Sequence, residues 1–373
     1  MLVGRGIAAP FIVKDMALAF KGLGCNVTFL PLRREGEDLF LKAQRSNPDC
    51  IIALDHTGLN FPWVKKLSCR KVAWFVDNPF YFIDTIDKEN ILFCFDKDYV
   101  AALKKEGFQN VFFLPHATNR HIFKPLTLAP FDREKYTCDV SFVGSIGKSQ
   151  QHVYNERTKL LKDAVDDTIH GLFDRLVEKK FRTCLKRHNQ NLFMLFDDCY
   201  STIDKHTKII IDRQIDYEVG TLLREGVTRV LRSFNGFLFG NRELARMQSD
   251  RCRFKGEIDY HTELPKLFNG CCVNINATRP QLPTTVNQRV YDISATNSFF
   301  LTDYRKSLET LFPFNVDAIC YYSLKDLEDK IKYYLINSKE REELAYAMYK
   351  PILREHTYNH RMQEMLTIVS KFL

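Results

Sequence analysis

The run Asn287-Gln288-Arg289-Val290-Tyr291-Asp292 offers an amide, a guanidinium and a carboxylate within two turns of what reads as the opening of a helix. Backbone N–H groups left open at a helix start, together with the forked donors of an arginine, converge on anions. Asp292, further along the same helix, suits a pair of ribose hydroxyls. The short apolar run that follows, Ser298-Phe299-Phe300-Leu301, reads as a buried strand ending at Thr302-Asp303. The combination suits a sugar-nucleotide donor. An ion pair between Arg289 and Asp292 uses the same residues equally well.

Other motifs carry weaker chemistry. The stretch Phe142-Val143-Gly144-Ser145-Ile146-Gly147-Lys148-Ser149 ends like a phosphate-binding P-loop, but that motif requires Gly where Phe142 stands. A Gly-Ser turn leaving a strand still lets backbone N–H groups meet a diphosphate, and a plain structural turn fits as well. His356 and His360 are four residues apart, a metal-ligand spacing. No Glu lies between them as in a zinc protease helix, and no third ligand is evident. His116 and His121 fare no better, so no bound metal and no cofactor are expected. Singly, His56 and His116 sit at strand ends and have the unperturbed pKa, about 6.5, of a general base. A hydrogen-bonded structural histidine competes with that reading at each position. Asp96-Lys97-Asp98 has the spacing of a metal-binding Asp-x-Asp pair. Here Asp98 reads as a helix cap and Asp96 as a strand-end residue. No Gly-x-Ser-x-Gly elbow is present, and Gly4-Arg5-Gly6 is too short for a dinucleotide fingerprint, so serine hydrolysis and hydride transfer lack support.

The elements that must position these residues alternate between strand and helix. Ile51-Ile52-Ala53-Leu54 stops at Asp55-His56, Val72-Ala73-Trp74-Phe75-Val76 at Asp77-Asn78-Pro79, and Val111-Phe112-Phe113-Leu114 at Pro115-His116. Ile91-Leu92-Phe93-Cys94-Phe95 is a further run. Wholly apolar runs separated by helical stretches mark strands buried on both faces, hence a parallel sheet. Ligands of such sheets sit beyond the carboxyl ends of the strands, where Asp55, His56, Asp77, Asn78 and His116 would lie. Asp15 is the expected cap of a short helix running to Phe20, and residues 98–107 form another helix with a Gly stop. The first strand looks short, as though the chain began late. In the second half, residues 139–143, 271–275 and 299–301 read as strands and 288–295 as a helix. Ser323 caps a helix with Asp326 in a capping-box-like pair, and Thr357 caps the last one.

At 373 residues the chain exceeds one hydrophobic core, so two domains are expected. The boundaries read as 1–125, a linker over 126–136 with two prolines and mixed charge, a second domain over 137–355 and a final helix over 356–373. A mostly helical, charged segment over about 158–235 interrupts the second domain. A net charge of +8 suits an anionic small molecule or weak attraction to a membrane surface and falls short of a nucleic-acid footprint. There is no run of about 18 apolar residues and no signal-peptide plan. The eleven cysteines form no Cys-x-x-Cys pair and read as reduced core residues, which points to the cytoplasm.

These residues resemble the CgeB-like, spore-maturation-type group of GT-B glycosyltransferases. In the first half the resemblance rests on residues 72–79, on Phe95-Asp96-Lys97-Asp98-Tyr99 through Gly107, and on Leu114-Pro115-His116-Ala117-Thr118-Asn119. In the second it rests on Phe142-Val143-Gly144-Ser145, Lys255-Gly256, Val273-Asn274-Ile275-Asn276, the run from Asn287, Phe300-Leu301-Thr302-Asp303, and His356-Thr357-Tyr358 with Arg361. Their order and spacing together are specific. The resemblance implies an α/β fold of two Rossmann-like domains facing a cleft, with the donor nucleotide held mainly by the second and the last helix crossing back to the first. It implies metal-independent transfer of a sugar from a nucleotide-diphosphate donor to an unidentified acceptor. Arg289 is the diphosphate candidate, with Gly144 and Ser145 opposite; Asp292 would hold the ribose, and Asn276 and Asn287 the sugar or phosphate. Asp77, His56 or His116 would serve as catalytic group on the acceptor side. Asp292 stands where the family often has Glu, and the segment over 158–235 is bulkier than the family pattern, which leaves the acceptor open. An inactive nucleotide- or sugar-binding module of an envelope- or spore-assembly complex, or a nucleotide-sugar epimerase, uses the same plan.

Overall fold

The computed structural model describes residues 2–5, 10–31, 37–148, 167–186 and 205–373. The chain divides into two units, residues 1–119 with 354–373, and residues 120–353.

The first unit opens with β1 (Leu2–Arg5), α1 (Pro10–Gly22), β2 (Thr28–Pro31), α2 (Glu37–Arg45), β3 (Cys50–Leu54) and α3 (Pro62–Lys65). It continues with β4 (Arg70–Phe75), β5 (Ile91–Cys94), α4 (Lys97–Lys105) and β6 (Val111–Phe113). The six strands pair in parallel in the order β2-β1-β3-β4-β5-β6. Every residue of β3 and β5 is buried, as expected of strands covered on both faces. Helix α1 begins five residues before the expected Asp15 cap, with Pro10 at its start. Asp15 is buried inside it and accepts from Asn119 Nδ2 at 2.8 Å, a tertiary partner no local pattern reveals. On α4 the cap is Asp96, whose Oδ1 accepts from Asp98 N at 2.9 Å, so the expected cap at Asp98 moves two residues back.

The second unit runs α5 (Pro130–Tyr136), β7 (Cys138–Gly144), α6 (Asp167–Cys184), α7 (Lys205–Leu231), β8 (Gly236–Gly240), β9 (Cys252–Phe254) and α8 (Leu264–Gly270). It then runs β10 (Cys271–Ile275), α9 (Gln288–Ala295), β11 (Phe300–Asp303), α10 (Leu308–Leu311), β12 (Cys320–Tyr321), α11 (Leu324–Ile336) and α12 (Ser338–Glu355). Its sheet is again all parallel, in the order β12-β11-β10-β7-β8-β9. Successive strands add outward from β7 on one side and from β10 on the other. The topological switch point, where doubly wound sheets open a crevice, therefore lies between the carboxyl ends of β7 and β10.

Three expectations change. Residues 126–136 are no linker: they contain α5, which packs on α8 within the second unit. Its charges bond inward, Lys135 and Tyr136 to Glu263 (both 2.6 Å) and Asp132 to Lys266 (3.0 Å), partners more than 120 residues away. The boundary accordingly falls after residue 119, and the chain returns to the first unit from residue 354. Within the segment expected over 158–235, α6 and the first half of α7 share an apolar layer (Phe173, Leu176, Ile211, Ile215, Val219) and a buried Lys180–Asp216 ion pair. The second half of α7 is not inserted at all, because Leu223, Val227 and Leu231 belong to the main core. Residues 158–166 and 187–204, and Ser149 of the P-loop-like stretch, lie outside the described residues.

Finally α13 (Tyr358–Val369) lays Tyr358, Met362, Met365 and Val369 against α1 and the strands of the first unit. Thr357 caps it as expected, with His360 completing the capping box. His356 Nδ1 contacts Arg361, so both histidines of the metal-like spacing turn Nδ1 to neighbours on the chain. No group of three or more His, Cys, Asp or Glu side chains placed to hold a metal occurs among the described residues, nor does a helix long and apolar enough to cross a membrane.

Candidate functional site

At the switch point of the second unit, β7 ends in Gly144 and turns through residues 145–148. Every carbonyl from Ser145 to Gly147 is tied down. Arg224 Nη1 donates to Ser145 O (2.8 Å), Asn241 brackets Ile146 by accepting from its N (3.1 Å) and donating to its O (2.8 Å), and Arg246 Nη2 donates to Gly147 O (2.8 Å). Arg246 is itself paired with Glu225 on α7. A Cβ at Gly147 would come within 2.6 Å of Thr221 Oγ1, and one at Gly240 within 1.7 Å of Gly144 O. Both glycines are required for the turn to lie this close to α7 and β8. The result is a rigid Gly-Ser turn with its carbonyls drawn toward the protein.

On the other side of the switch point, β10 leads into Asn276, Ala277, Thr278 and Arg279. Thr278 N donates to Asp303 Oδ1 (2.7 Å), and Asp303 forms a buried ion pair with Arg305 at 2.7 Å, which also holds Leu282 O (2.9 Å). This pair anchors the loop carrying Arg279, whose Nη2 donates to Ser145 Oγ at 2.9 Å. Asn276 is fully buried and acts as the hub of the α9 start. Its Nδ2 donates to Thr278 Oγ1 (3.3 Å) and Thr302 Oγ1 (3.0 Å), and its Oδ1 accepts from Asn287 Nδ2 (3.0 Å) and Arg289 Nη1 (3.1 Å). Asn276 therefore holds Asn287 and Arg289 in place; its own amide is committed to protein.

Three guanidiniums gather here. Arg224 is buried, donates only to the carbonyls of Ser145 and Ala277, and its Nε has no partner among the described residues. Burial, then the charges of Arg279 and Arg289, hold its proton affinity well below that of an ordinary guanidinium. Burial also lowers Arg289 to about 10, opposed by Asp292 and reinforced by Arg279. Among the described residues none of the three makes a carboxylate ion pair within 4 Å. Arg224 is buried, Arg289 half-buried and Arg279 exposed, and like charges gathered with so little direct carboxylate pairing favour the uptake of an anion.

Asp292 differs from its expected role. It is buried, and its Oδ2 accepts from Tyr260 Oη at 2.6 Å, so it addresses protein first. Tyr260 Oη in turn accepts from Gln288 Nε2 (2.5 Å). The ion pair between Arg289 and Asp292, the alternative reading of these residues, is not formed within 4 Å. Gly144, Ser145, Asn276, Asn287 and Arg289 are thus assembled from strand ends far apart in sequence. The sequence reading missed Arg224, Arg279, Gln288 and Tyr260. Arg279 carried a usable signal, since it lies four residues beyond a largely apolar strand. Arg224 carried none, standing in mid-helix with partners 79 and 53 residues away.

At the carboxyl edge of the first unit's sheet, Asp55 and His56 both adopt left-handed backbone (φ 48° and 60°), a conformation that non-glycine residues seldom take. Asp55 Oδ1 accepts from Val76 N (2.7 Å) and Asp77 N (3.0 Å) and so sets the turn after β4. Burial, then the Asp77 charge, raises its carboxyl to about 7 against those two hydrogen bonds. His56 lies buried with Nε2 3.3 Å from Asn90 Nδ2, and burial lowers it to about 4. His116 stacks on Phe95 with ring centroids 5.5 Å apart, also lowered to about 4 by burial and then Arg361. Both histidines are neutral, packed side chains: the apolar runs that mark the strand ends also wall them in. Asp77 is half-buried and is the remaining predicted catalytic group with a surface to offer.

Residues 223–367 match the family described as Glycosyl transferase-like, a segment that includes all three arginines. Over 332 residues the chain is 21% identical to Spore protein CgeB of Bacillus subtilis (strain 168), covering 87% of this chain and 84% of that protein. Among solved structures it is similar to Anabaena HepE in complex with UDP and glucose (TM-score 0.55, 10% identity, 99% of each chain). It is also similar to sucrose-phosphate synthase from Thermosynechococcus elongatus (TM-score 0.59, 10% identity, 100% of this chain and 98% of that one). A further likeness is to T4 phage BGT in complex with its UDP-glucose substrate (TM-score 0.53, 11% identity, 98% of each). The fold is that of the GT-B glycosyltransferases.

Proposed function

We propose that a chain with a glycosyl transferase-like segment on a GT-B fold transfers a sugar from a nucleoside-diphosphate donor, without a divalent metal, to an acceptor of unassigned class. The observation that carries this is the gathering of Arg224, Arg279 and Arg289 at the switch point of the second unit, the first two bonded to Ser145 and none in a carboxylate ion pair among the described residues. Departure of a nucleoside diphosphate leaves negative charge on the phosphate oxygens. Preorganised guanidiniums and a helix start stabilise that charge without reorganising at the moment of reaction. Arg289 and Arg279 would take the diphosphate directly, with Arg224 behind the turn supplying field. Asp77 is the proposed base for the acceptor hydroxyl, held in place by Asp55. The UDP and UDP-glucose complexes of the structural neighbours support a nucleotide-sugar as donor.

Titration calorimetry of the intact protein with UDP, GDP, ADP and TDP tests the reading and identifies the base. At least one should bind, and failure of all four overturns it. Binding without hydrolysis or transfer over a broad acceptor panel would leave a nucleotide-binding module instead, and product from donor alone an epimerase.

A further inference from the structure

The start of α9 ends two hydrogen-bond relays on unpartnered oxygens. In the first, a carboxylate only accepts, so the proton of Tyr260 Oη is committed to Asp292 Oδ2 at 2.6 Å. The 2.5 Å contact between Tyr260 Oη and Gln288 is then donated by Gln288 Nε2. This fixes the amide orientation and leaves Gln288 Oε1 as an acceptor with no partner among the described residues, on a side chain only 9% exposed. In the second relay, Asn276 Nδ2 is committed to the hydroxyls of Thr278 and Thr302, so its Oδ1 receives both Arg289 Nη1 and Asn287 Nδ2. That orients the Asn287 amide in the same way and leaves its Oδ1 unpartnered among the described residues.

Two independently anchored relays thus end on acceptors at consecutive residues, the N-cap and first position of α9, beside the Arg289 guanidinium. A shielded amide oxygen without a donor is unfavourable, and replacing its partner by nothing is seldom tolerated in a network otherwise satisfied. A ligand with two adjacent hydroxyl donors next to a phosphate would complete the pair. We propose that Asn287 Oδ1 and Gln288 Oε1 form an acceptor pair that reads a vicinal diol of the donor substrate, with Asp292 and Tyr260 as positioning residues. The inference rests on the donor-site reading above and moves the sugar-hydroxyl contact from Asp292 to Gln288 and Asn287. The diol is either that of the ribose or that of the transferred sugar.

Titration calorimetry on the full chain separates these outcomes, using whichever of UDP, GDP and ADP binds best, its 2′,3′-dideoxy counterpart, its glucose ester, and inorganic pyrophosphate. If the ribose diol is read, the dideoxy nucleotide binds at least tenfold more weakly than the nucleotide, and Gln288→Met narrows that ratio. If the transferred sugar is read, the two nucleotides bind alike while the glucose ester binds more tightly, and Gln288→Met removes that advantage. Tyr260→Phe is the second variant, because it leaves Gln288 in place but frees its amide to turn. It should erode the same ratio without changing pyrophosphate affinity, which a merely structural role would not do. Unchanged ratios in both folded variants, with nucleotide binding intact, overturn the diol reading and leave the donor site standing. Absence of binding by every nucleotide and by pyrophosphate overturns both.

Discussion

Arg289 shows how little a residue's type reveals until its neighbours are placed. It is the guanidinium that stands out in the sequence, yet its case as the proposed anion ligand rests on Asn276, which fixes it, and on Arg224 and Arg279, which crowd it. Arg289→Ala removes a charge-assisted contact to phosphate and should weaken nucleotide binding by about 1.5–3 kcal/mol. Thermal unfolding of the unliganded variant should stay near that of the parent, since the lost partner inside the protein is one amide oxygen. A folded variant with unchanged affinity removes Arg289 from the site. Asp55 permits a second test at this scale. Its folded carboxyl keeps a proton up to about pH 7, far above its ordinary 3.8. Between those values the folded state holds a proton that the unfolded chain has released, so this group's contribution to stability declines as pH rises through the window and is flat above it. Asp55→Asn retains an acceptor for Val76 N and Asp77 N while abolishing the titration. Urea unfolding at pH 4.5 and pH 8 should therefore show the variant gaining on the parent at the higher pH, by an amount on the order of a few kcal/mol. Equal gaps at both pH values would mean the carboxyl is not held protonated.

At the scale of elements, α13 is the piece whose placement most depends on one side chain. Arg361 is buried, with Nε donating to Pro115 O (3.0 Å) and His116 O (3.3 Å) and Nη1 to Glu355 O (3.1 Å). It joins the end of β6 to the residues that enter the last helix, alongside the backbone bridge between Thr118 and Thr357. Arg361→Ala strands three carbonyls and should destabilise the protein by about 2–4 kcal/mol. Nucleotide affinity, which the proposed function assigns to the other unit, should be spared in whatever fraction stays folded. Loss of nucleotide binding at full stability would contradict that division of labour. The same reasoning explains why α7 carries two roles along one helix: its first half packs on α6, and its second brings Arg224 beneath the Gly-Ser turn.

For the molecule as a whole, the decisive property is where positive charge is concentrated. A net charge of +8 spread along 373 residues predicts little, but in the proposed function three guanidiniums at one switch point take the place that a divalent ion has elsewhere. Transfer should accordingly survive excess EDTA. Asp96→Asn should reduce activity only mildly, because Asp96 caps α4 and asparagine caps nearly as well. Abolition by EDTA with rescue by manganese would overturn both the metal-free chemistry and the assignment of the diphosphate to the arginines.

Strands β3 to β6 of the first sheet and β7, β10 and β11 of the second were legible in the sequence because burial on both faces leaves a largely apolar run, and in the first sheet the polar residue ending each run marks the carboxyl edge; β8, β9 and β12 were not read as strands. Helix α9 was legible to the residue, and so was the Thr357 cap, since both depend on neighbours within one turn. Residues 126–136 misled because charge and proline look the same in a linker as in a short helix whose ion pairs lie in a distant part of the chain. Asp15, Asp292, His56 and His116 misled for a related reason: a polar residue in an open position and one walled into the core read alike until the covering layer is placed. Sequence by itself determined that both halves carry buried parallel strands, the polar carboxyl edge of the first sheet and the arginine at the head of α9. Only the tertiary structure decided which groups meet there. Strand order brings β7 beside β10 and lays α7 behind them, and the resulting cluster depends on separations of tens to more than a hundred residues that no local pattern encodes.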